Sequence, residues 1–476
     1  MCEFWNRKGT DNTRAIESAE TLFIILDLTY LKVMNQSSNR PRILIIANTS
    51  LSSTRNEGKT IASFFQGYPK NKIRQLYFNN EYPDTDVCQS YYRVTDFDII
   101  RSFRKTAIGM VLEVTNVQQE LPDDDRVPNV HFWKILKIDL IRLLRELAWR
   151  IGKWKTNQLV NWLDDFAPEL VFFCAGDSGF AYRINDYVVT RYKCRSVVYL
   201  TDDYILPRHT ISPFWWIRRY YIYEKMKVAI RNCDQFLTIS DKMRNIYRDI
   251  FKKDSIVALN IPQKRTFKLR PMGGASHNDN IVLVYAGGLH YKRYKTLRLL
   301  ALAIRKFNLS PEVERKAQLR IYCNQKPTER ERRAIELQGA SNYCGALSSE
   351  ELSDVLARSD ILVHVESFDY NSIDKTRLSV STKISEYMSL GKPILAIGPE
   401  NIASMEVLSD VAFCITDTKQ LNQKVSEFLL DDLLPASLAL KALEMYEAKY
   451  LIANYDQYLL QMILGSSDTY QALEKQ

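Results

Sequence analysis

The sequence predicts an α/β protein of two doubly wound, Rossmann-like domains facing each other across a cleft. Short continuous apolar runs recur at Arg42–Asn48, Ile73–Phe78, Leu170–Cys174, Ser196–Leu200 and Gln235–Ile239. They recur again at Ile281–Tyr285, Leu319–Cys323, Ile361–Val365, Ile394–Ile397 and Ala412–Ile415. Such runs mark strands buried on both faces of a parallel sheet, and the segments of helical period between them give the alternation of a wound sheet. A stretch rich in Pro, Gly, Lys and Asn around residues 260–280 separates the two series, and 476 residues exceed one compact core.

This pattern places the domains at residues 41–262 and 281–436, with a linker at 263–280 and helices from 437 to 476 crossing back toward the first domain. Residues 1–40 form an appendage. Within it Leu22–Val33 is apolar, but Asp27 interrupts it and no small-residue cleavage site follows; Met34 stands as an alternative start. With 46% hydrophobic and 25% charged residues the composition is globular, and a formal charge of +9 suits phosphates or an anionic membrane surface. Nucleic acid is excluded as a partner because the basic residues lie on aromatic helices and not in a recognisable module. No apolar run reaches the roughly 20 residues of a membrane span. Eight cysteines without a CxxC or a Cys/His cluster read as reduced thiols of a cytoplasmic protein, with no metal site.

In chain order, Arg42–Asn48 leads into a polar loop holding Gly58-Lys59-Thr60. A P-loop is rejected because its first glycine would fall at Ser53. Gly58 is expected instead to let a ligand approach the carboxyl end of the strand. Glu81–Pro128 shows no clear pattern, and Asp123-Asp124-Asp125 reads as a solvated turn. From His131 to Asp165 one helical pattern interleaves Trp133, Trp149 and Trp154 with Lys134, Arg142, Arg145, Arg150 and Lys153; Pro213–Lys227 repeats the theme with Trp215, Trp216, Arg218 and Arg219. The first segment alone suits a membrane surface and a helix packed on the sheet with its basic side in water equally; two such segments in one domain favour membrane contact. Ser196–Leu200 ends in Thr201-Asp202-Asp203. Asp202, Asp203 and the nearby His209 are therefore candidates to hold an acceptor hydroxyl or a transferred sugar, against the plainer reading of helix cap or surface charge.

In the second half, Ile281–Tyr285 runs into Gly287-Gly288 and then Arg293, glycines for close backbone approach and a cation suited to a diphosphate. Ser381–Pro393 reads as a short helix with Ser381, Thr382 and Lys383 at its mouth and Ile384, Tyr387 and Met388 inward. Its N-terminal amides, its dipole and Lys383 suit a diphosphate, and Glu386 on the same side suits the hydroxyls of a ribose. The plainer alternative is a surface Lys383–Glu386 pair.

Three stretches resemble the GT-B-fold glycosyltransferases, most closely the retaining family 4: Tyr285-Ala-Gly-Gly-Leu-His-Tyr-Lys-Arg293, Lys383-Ile-Ser-Glu386-Tyr-Met-Ser-Leu-Gly391-Lys-Pro393, and Glu224 through Asp234 to Ser240. The resemblance implies a metal-independent, retaining hexosyltransferase in surface polysaccharide assembly, with no cofactor beyond a nucleotide-sugar co-substrate of UDP or GDP type. It implies Arg293 and Lys383 on the donor diphosphate, Glu386 on the ribose, and Gly58 lining the cleft from the opposite domain. The basic-aromatic segments add a lipid-linked saccharide acceptor at the cytoplasmic face of a membrane. The family's first glutamate falls here on Leu378, and Glu366 is the candidate to replace it. That departure keeps two alternatives open: a non-catalytic sugar-nucleotide-binding partner, or a sugar-nucleotide epimerase of the same fold.

Overall fold

The computed structural model describes residues 40–53, 56–104, 108–113, 136–259, 280–431 and 433–450. The first sheet is built from β1 (Ile43–Ala47), β2 (Ile73–Tyr77), β3 (Ser90–Arg93), β4 (Met110–Glu113), β5 (Leu170–Cys174), β6 (Arg195–Leu200), β7 (Gln235–Thr238) and β8 (Ile256–Val257). Between them run α1 (Asn56–Phe64), α2 (Asp96–Arg101), α3 (Leu136–Ile151), α4 (Asn157–Phe166), α5 (Gly179–Tyr192), α6 (Pro213–Asn232) and α7 (Asp241–Phe251). The strand order is β4-β3-β2-β1-β5-β6-β7-β8, parallel except for the antiparallel β3–β4 edge. The order reverses at β1, so the carboxyl ends of β1 and β5 form the crevice where such sheets hold ligands.

The second sheet contains β9 (Ile281–Ala286), β10 (Ala317–Tyr322), β11 (Ser341–Gly345), β12 (Ile361–Val365), β13 (Ile394–Ile397) and β14 (Phe413–Ile415). Its helices are α8 (Arg293–Asn308), α9 (Glu329–Ile335), α10 (Ser349–Arg358), α11 (Tyr370–Thr376), α12 (Thr382–Ser389), α13 (Ala403–Leu408), α14 (Leu421–Leu430) and α15 (Leu433–Tyr450). All its pairings are parallel, in the order β11-β10-β9-β12-β13-β14.

Buried alternation explains the apolar runs. In β1, Leu44 and Ile46 join one layer with Trp149 and Phe180, whereas Ile43 and Ile45 join the other with Phe64 and Phe65. Both faces are dry, so both sets must be apolar. Each fully buried Leu, Ile or Phe contributes about 1.5–3 kcal/mol by leaving water.

The structure corrects the single helix expected over His131–Asp165. Its described part is two helices: the chain leaves α3 at Gly152, and Thr156 caps α4 by accepting from Leu159 N at 3.2 Å. A cap residue after a glycine is a stop and a restart. The unassigned Glu81–Pro128 contains β3, β4 and α2, which opens with a Thr95–Asp98 capping box. The appendage up to residue 39, Asp123–Asp125, Trp133 with Lys134, and the body of the linker lie outside the described residues. The helices expected to cross back over 437–476 are described only to Tyr450: there α15 lies against α12 and β13 of the second domain, with Ala442 fully buried, and 451–476 lie outside the described residues. Of the described cysteines, Cys88, Cys174, Cys233 and Cys323 are buried free thiols and Cys344 is exposed.

Candidate active site

Ser381 caps α12, its hydroxyl accepting from Lys383 N at 3.4 Å, with Thr382 as the first helical residue. Gly391, at φ 56°, turns the chain before Pro393. Ile384, Tyr387 and Met388 bury the inner face, and the Tyr387 hydroxyl accepts from Ala286 N at 3.2 Å. The mouth of α12 is thereby fixed to the end of β9. There Lys383 Nζ lies 2.9 Å from Glu386 Oε2, while Lys59 Nζ reaches Glu386 Oε1 from the opposite domain. Burial would raise the Glu386 carboxyl, but the Lys383 and Lys59 ammoniums outweigh it and hold it below the usual range.

Arg293 opens α8 and forks onto Glu366, with Nη2 at 2.8 Å and Nε at 3.1 Å from Oε2. Glu366 is 2% exposed, and Thr296 Oγ1 donates to its carbonyl at 2.7 Å. Burial raises this carboxyl too, yet Arg293 and His364 hold it at about 2. Glu366 is thus turned onto the cation, fixing its planar fork. The glycine turn between β9 and α8 is filled from within: a Cβ at Gly287 would come 2.7 Å from the Tyr285 hydroxyl, and one at Gly288 would come 2.3 Å from the His290 ring. Burial and Arg293 push His290 down, and its Nε2 lies 3.0 Å from Arg293 Nη1, placed to accept.

On the first domain, Gly58 serves the packing of the chain on itself. A Cβ there would lie 2.3 Å from Ser50 O, so glycine lets α1 close on the Ser50–Ser52 loop. Its neighbours carry the polar contacts here, Lys59 to Glu386 across the domains and Glu57 within the first; sequence reasoning passed over Glu57 and weighed Lys59 only within the rejected P-loop. Their signal was their position in the first turns of the helix after β1, at the reversal of strand order. Glu57 accepts from Thr49 Oγ1 at 2.7 Å and from the Cys174 thiol at 3.2 Å, and burial pushes its carboxyl up. Asp202, at the end of β6, takes the Ser379 hydroxyl and is also pushed up by the protein around it. Beside it Thr201 Oγ1 is buried with no partner among the described residues.

Asp203 and His209 have another place. Asp203 is buried, accepting from Ile205 N at 3.0 Å, Leu206 N at 2.9 Å, the Tyr247 hydroxyl at 3.1 Å and Arg377 Nη2 at 2.8 Å. His209 donates its backbone N–H to Asp374 at 2.6 Å, with Nδ1 2.8 Å from the same oxygen. With Ser240 Oγ on Leu378 O at 2.9 Å and Lys242 on Glu406, these contacts clasp the two domains. The polar insertion Asp369–Arg377 supplies Asp374 and Arg377 to that clasp, from α11 and its C-cap. Leu378 itself is a fully buried core residue.

Of the described tryptophans in the basic-aromatic segments, Trp149 and Trp215 turn inward, whereas Trp216 is 41% exposed. Trp149 stacks on Phe180 at 3.8 Å, Trp215 is buried, and Arg218 is buried against Asp177. What α3 exposes is aliphatic: Leu140, Leu144, Leu147 and Ile151 form one solvent-facing stripe with Ile141 beside it. Phe97, Ile100 and Phe103 around α2, and Ile217 and Tyr220 on α6, are exposed on helices that pack against α3. The nearby acids have partners: half-exposed Asp96 takes Arg145 and Trp149, Asp98 takes Thr95, and buried Glu146 takes the amides of Gly179 and Phe180. Arg101, Arg104, Arg150 and Lys153 are exposed. No helix among the described residues is long and apolar enough to cross a membrane, and none of their His, Cys, Asp and Glu residues group to hold a metal ion.

Residues 280–431 match the family model described as glycosyl transferases group 1. Among curated proteins, none matches the chain by sequence. In structure the chain is similar to WaaG, a glycosyltransferase involved in lipopolysaccharide biosynthesis (10% identity, TM-score 0.52), covering 89% of this chain and 100% of that one. It is similar to TarM at 11% identity and TM-score 0.55 (90% and 99% covered), and to OtsA at 11% and 0.53 (88% and 99%). The second domain therefore matches the glycosyl transferases group 1 model over residues 280–431, and the chain as a whole has the GT-B fold.

Proposed function

We propose that this protein transfers a sugar from a nucleotide-sugar donor of UDP or GDP type to a lipid-linked saccharide, with retention of configuration, during assembly of a surface polysaccharide. The observation that carries the reading is the mouth of α12, where helix amides, Lys383 and Glu386 converge beside Arg293. The donor diphosphate sits on the helix N-terminus, Lys383 and the Arg293 fork, and Glu386 takes the ribose hydroxyls. In the transfer the bond from the anomeric carbon to the diphosphate breaks and a bond to the acceptor oxygen forms on the same face; the acceptor proton leaves with the diphosphate. No step draws on a metal ion, since fixed cations take up the charge of the leaving group. Asp202 and Glu57 hold the acceptor hydroxyl on the opposite wall, and closure of the two walls excludes water. The apolar stripe of α3, with exposed Arg101, Arg104, Arg150 and Lys153 around it, seats the enzyme on the cytoplasmic face of an anionic membrane beside such an acceptor.

A thermal-shift screen against UDP, GDP, ADP, CMP and their sugar conjugates tests the donor site. A ligand that binds only the native state raises the melting temperature. One nucleotide is expected to do so with wild type and to fail with Glu386→Ala; no shift at millimolar concentration, or an equal shift in the variant, rejects the site. A bound nucleotide sugar that turns over alone into its epimer would move the reading to an epimerase.

A further inference from the structure

We infer that Lys59 is a ligand of the donor diphosphate supplied by the first domain, held ready on Glu386 until the donor ribose takes that carboxylate. The inference rests on the reading of α12 as the donor site and adds a residue from the other side of the cleft. Two ammoniums share one carboxylate here: Lys383 holds Oε2 at 2.9 Å and Lys59 holds Oε1. A ribose donates its two hydroxyls to a carboxylate, so it competes for the same two oxygens. When it binds, both ammoniums are released at the mouth of α12, where a diphosphate arrives with the same molecule.

The exchange is favoured by what surrounds it. Glu386 and Lys59 are about one-fifth and one-quarter exposed, 19% and 24%, so the contact is partly shielded from water and from salt. The Arg293 fork is held by Glu366 and stays in place, whereas the two lysines meet the carboxylate that the ribose takes. Lysine suits that use, being a point charge on a flexible stem where arginine is a rigid fork. The base of Lys59 is fixed: Gly58 presses α1 onto the Ser50–Ser52 loop and Thr60 is buried on the other side. Because Lys59 comes from the first domain, a diphosphate bound to both lysines bridges the walls of the cleft and tightens their closure.

Titration calorimetry of the full chain with the nucleoside diphosphate that raises its melting temperature, alongside saturation-transfer NMR with the matching nucleoside, tests this. Lys59→Met is expected to weaken the diphosphate at least tenfold while leaving the nucleoside within about twofold, and Lys59→Arg to restore part of the loss. A circular-dichroism melt of each variant shows that it is folded. Unchanged diphosphate affinity in Lys59→Met overturns the assignment. So does an equal loss of diphosphate and nucleoside, because that is the signature of a prop for Glu386. If wild type binds no nucleotide at all, the donor-site reading falls first and this one with it, whereas diphosphate binding indifferent to Lys59 leaves the donor site standing.

Discussion

On the second-domain wall of the cleft, Glu366 and Glu386 are each held by cations, Arg293 for one and Lys383 with Lys59 for the other, and both lie below the usual carboxylate range. On the first-domain wall, Glu57 and Asp202 meet hydroxyls and a thiol, and both are pushed above it by burial. The same residue type is tuned in opposite directions across one gap. On the proposed reading the cations gather where the donor diphosphate binds, and their carboxylates keep them in place. The facing carboxyls are left to desolvation, which suits groups that share protons with a neutral hydroxyl.

Arg293→Met breaks the comparison most severely. It leaves Glu366 buried without its cation, which costs about 3–5 kcal/mol by the general behaviour of broken buried pairs. Urea denaturation should show that loss, and adding Glu366→Gln should recover most of the stability but not nucleotide binding. Recovery of both would mean that Arg293 serves the fold alone.

The outer side of the first domain provides the next test. Leu144→Glu with Ile151→Glu should cut co-sedimentation with vesicles containing phosphatidylglycerol several-fold, leaving the nucleotide thermal shift unchanged. Wild type that stays in the supernatant at low salt removes the membrane half of the proposed function.

The smallest effect is the dependence of stability on pH, and its sign differs between the walls. The folded value of Glu366, about 2, lies below its unfolded value. Its contribution is therefore complete above about pH 4.5 and is lost as pH falls toward 2. Glu57 has a folded value above the unfolded one, so its ionisation costs stability as pH rises beyond about 4.5. Melting curves between pH 3 and 7 should show Glu366→Gln losing ground to wild type as pH rises, mainly below pH 5. Glu57→Gln should gain ground above it. Shifts of the same sign would show that the two walls are not tuned apart.

Much of the fold was legible in the sequence, and the reason is local. Buried parallel strands must be apolar on both faces, so their runs stand out, and the helix mouth at Ser381–Glu386 could be read from a cap, a period and a stop. β3, α2 and β4 were not legible, because short elements at a sheet edge carry little apolar pattern. Trp149 and Arg218 were misleading for a related reason: a helix wheel separates polar from apolar faces but does not say which face meets the sheet. Asp202, Asp203 and His209 looked alike along the chain. Yet Asp203 and His209 turned out to clasp the domains through Arg377 and Asp374, more than 160 residues away.

By itself the sequence determined two wound domains and a capped helix with Lys383 and Glu386 at its mouth, because periodicity and capping act over a few residues. Only the tertiary structure decided which charged groups meet. The pairings of Lys59 with Glu386, Arg377 with Asp203 and Arg293 with Glu366 join residues 327, 174 and 73 positions apart. Electrostatic interaction depends on distance and burial in space, and neither is written in the local order of residues.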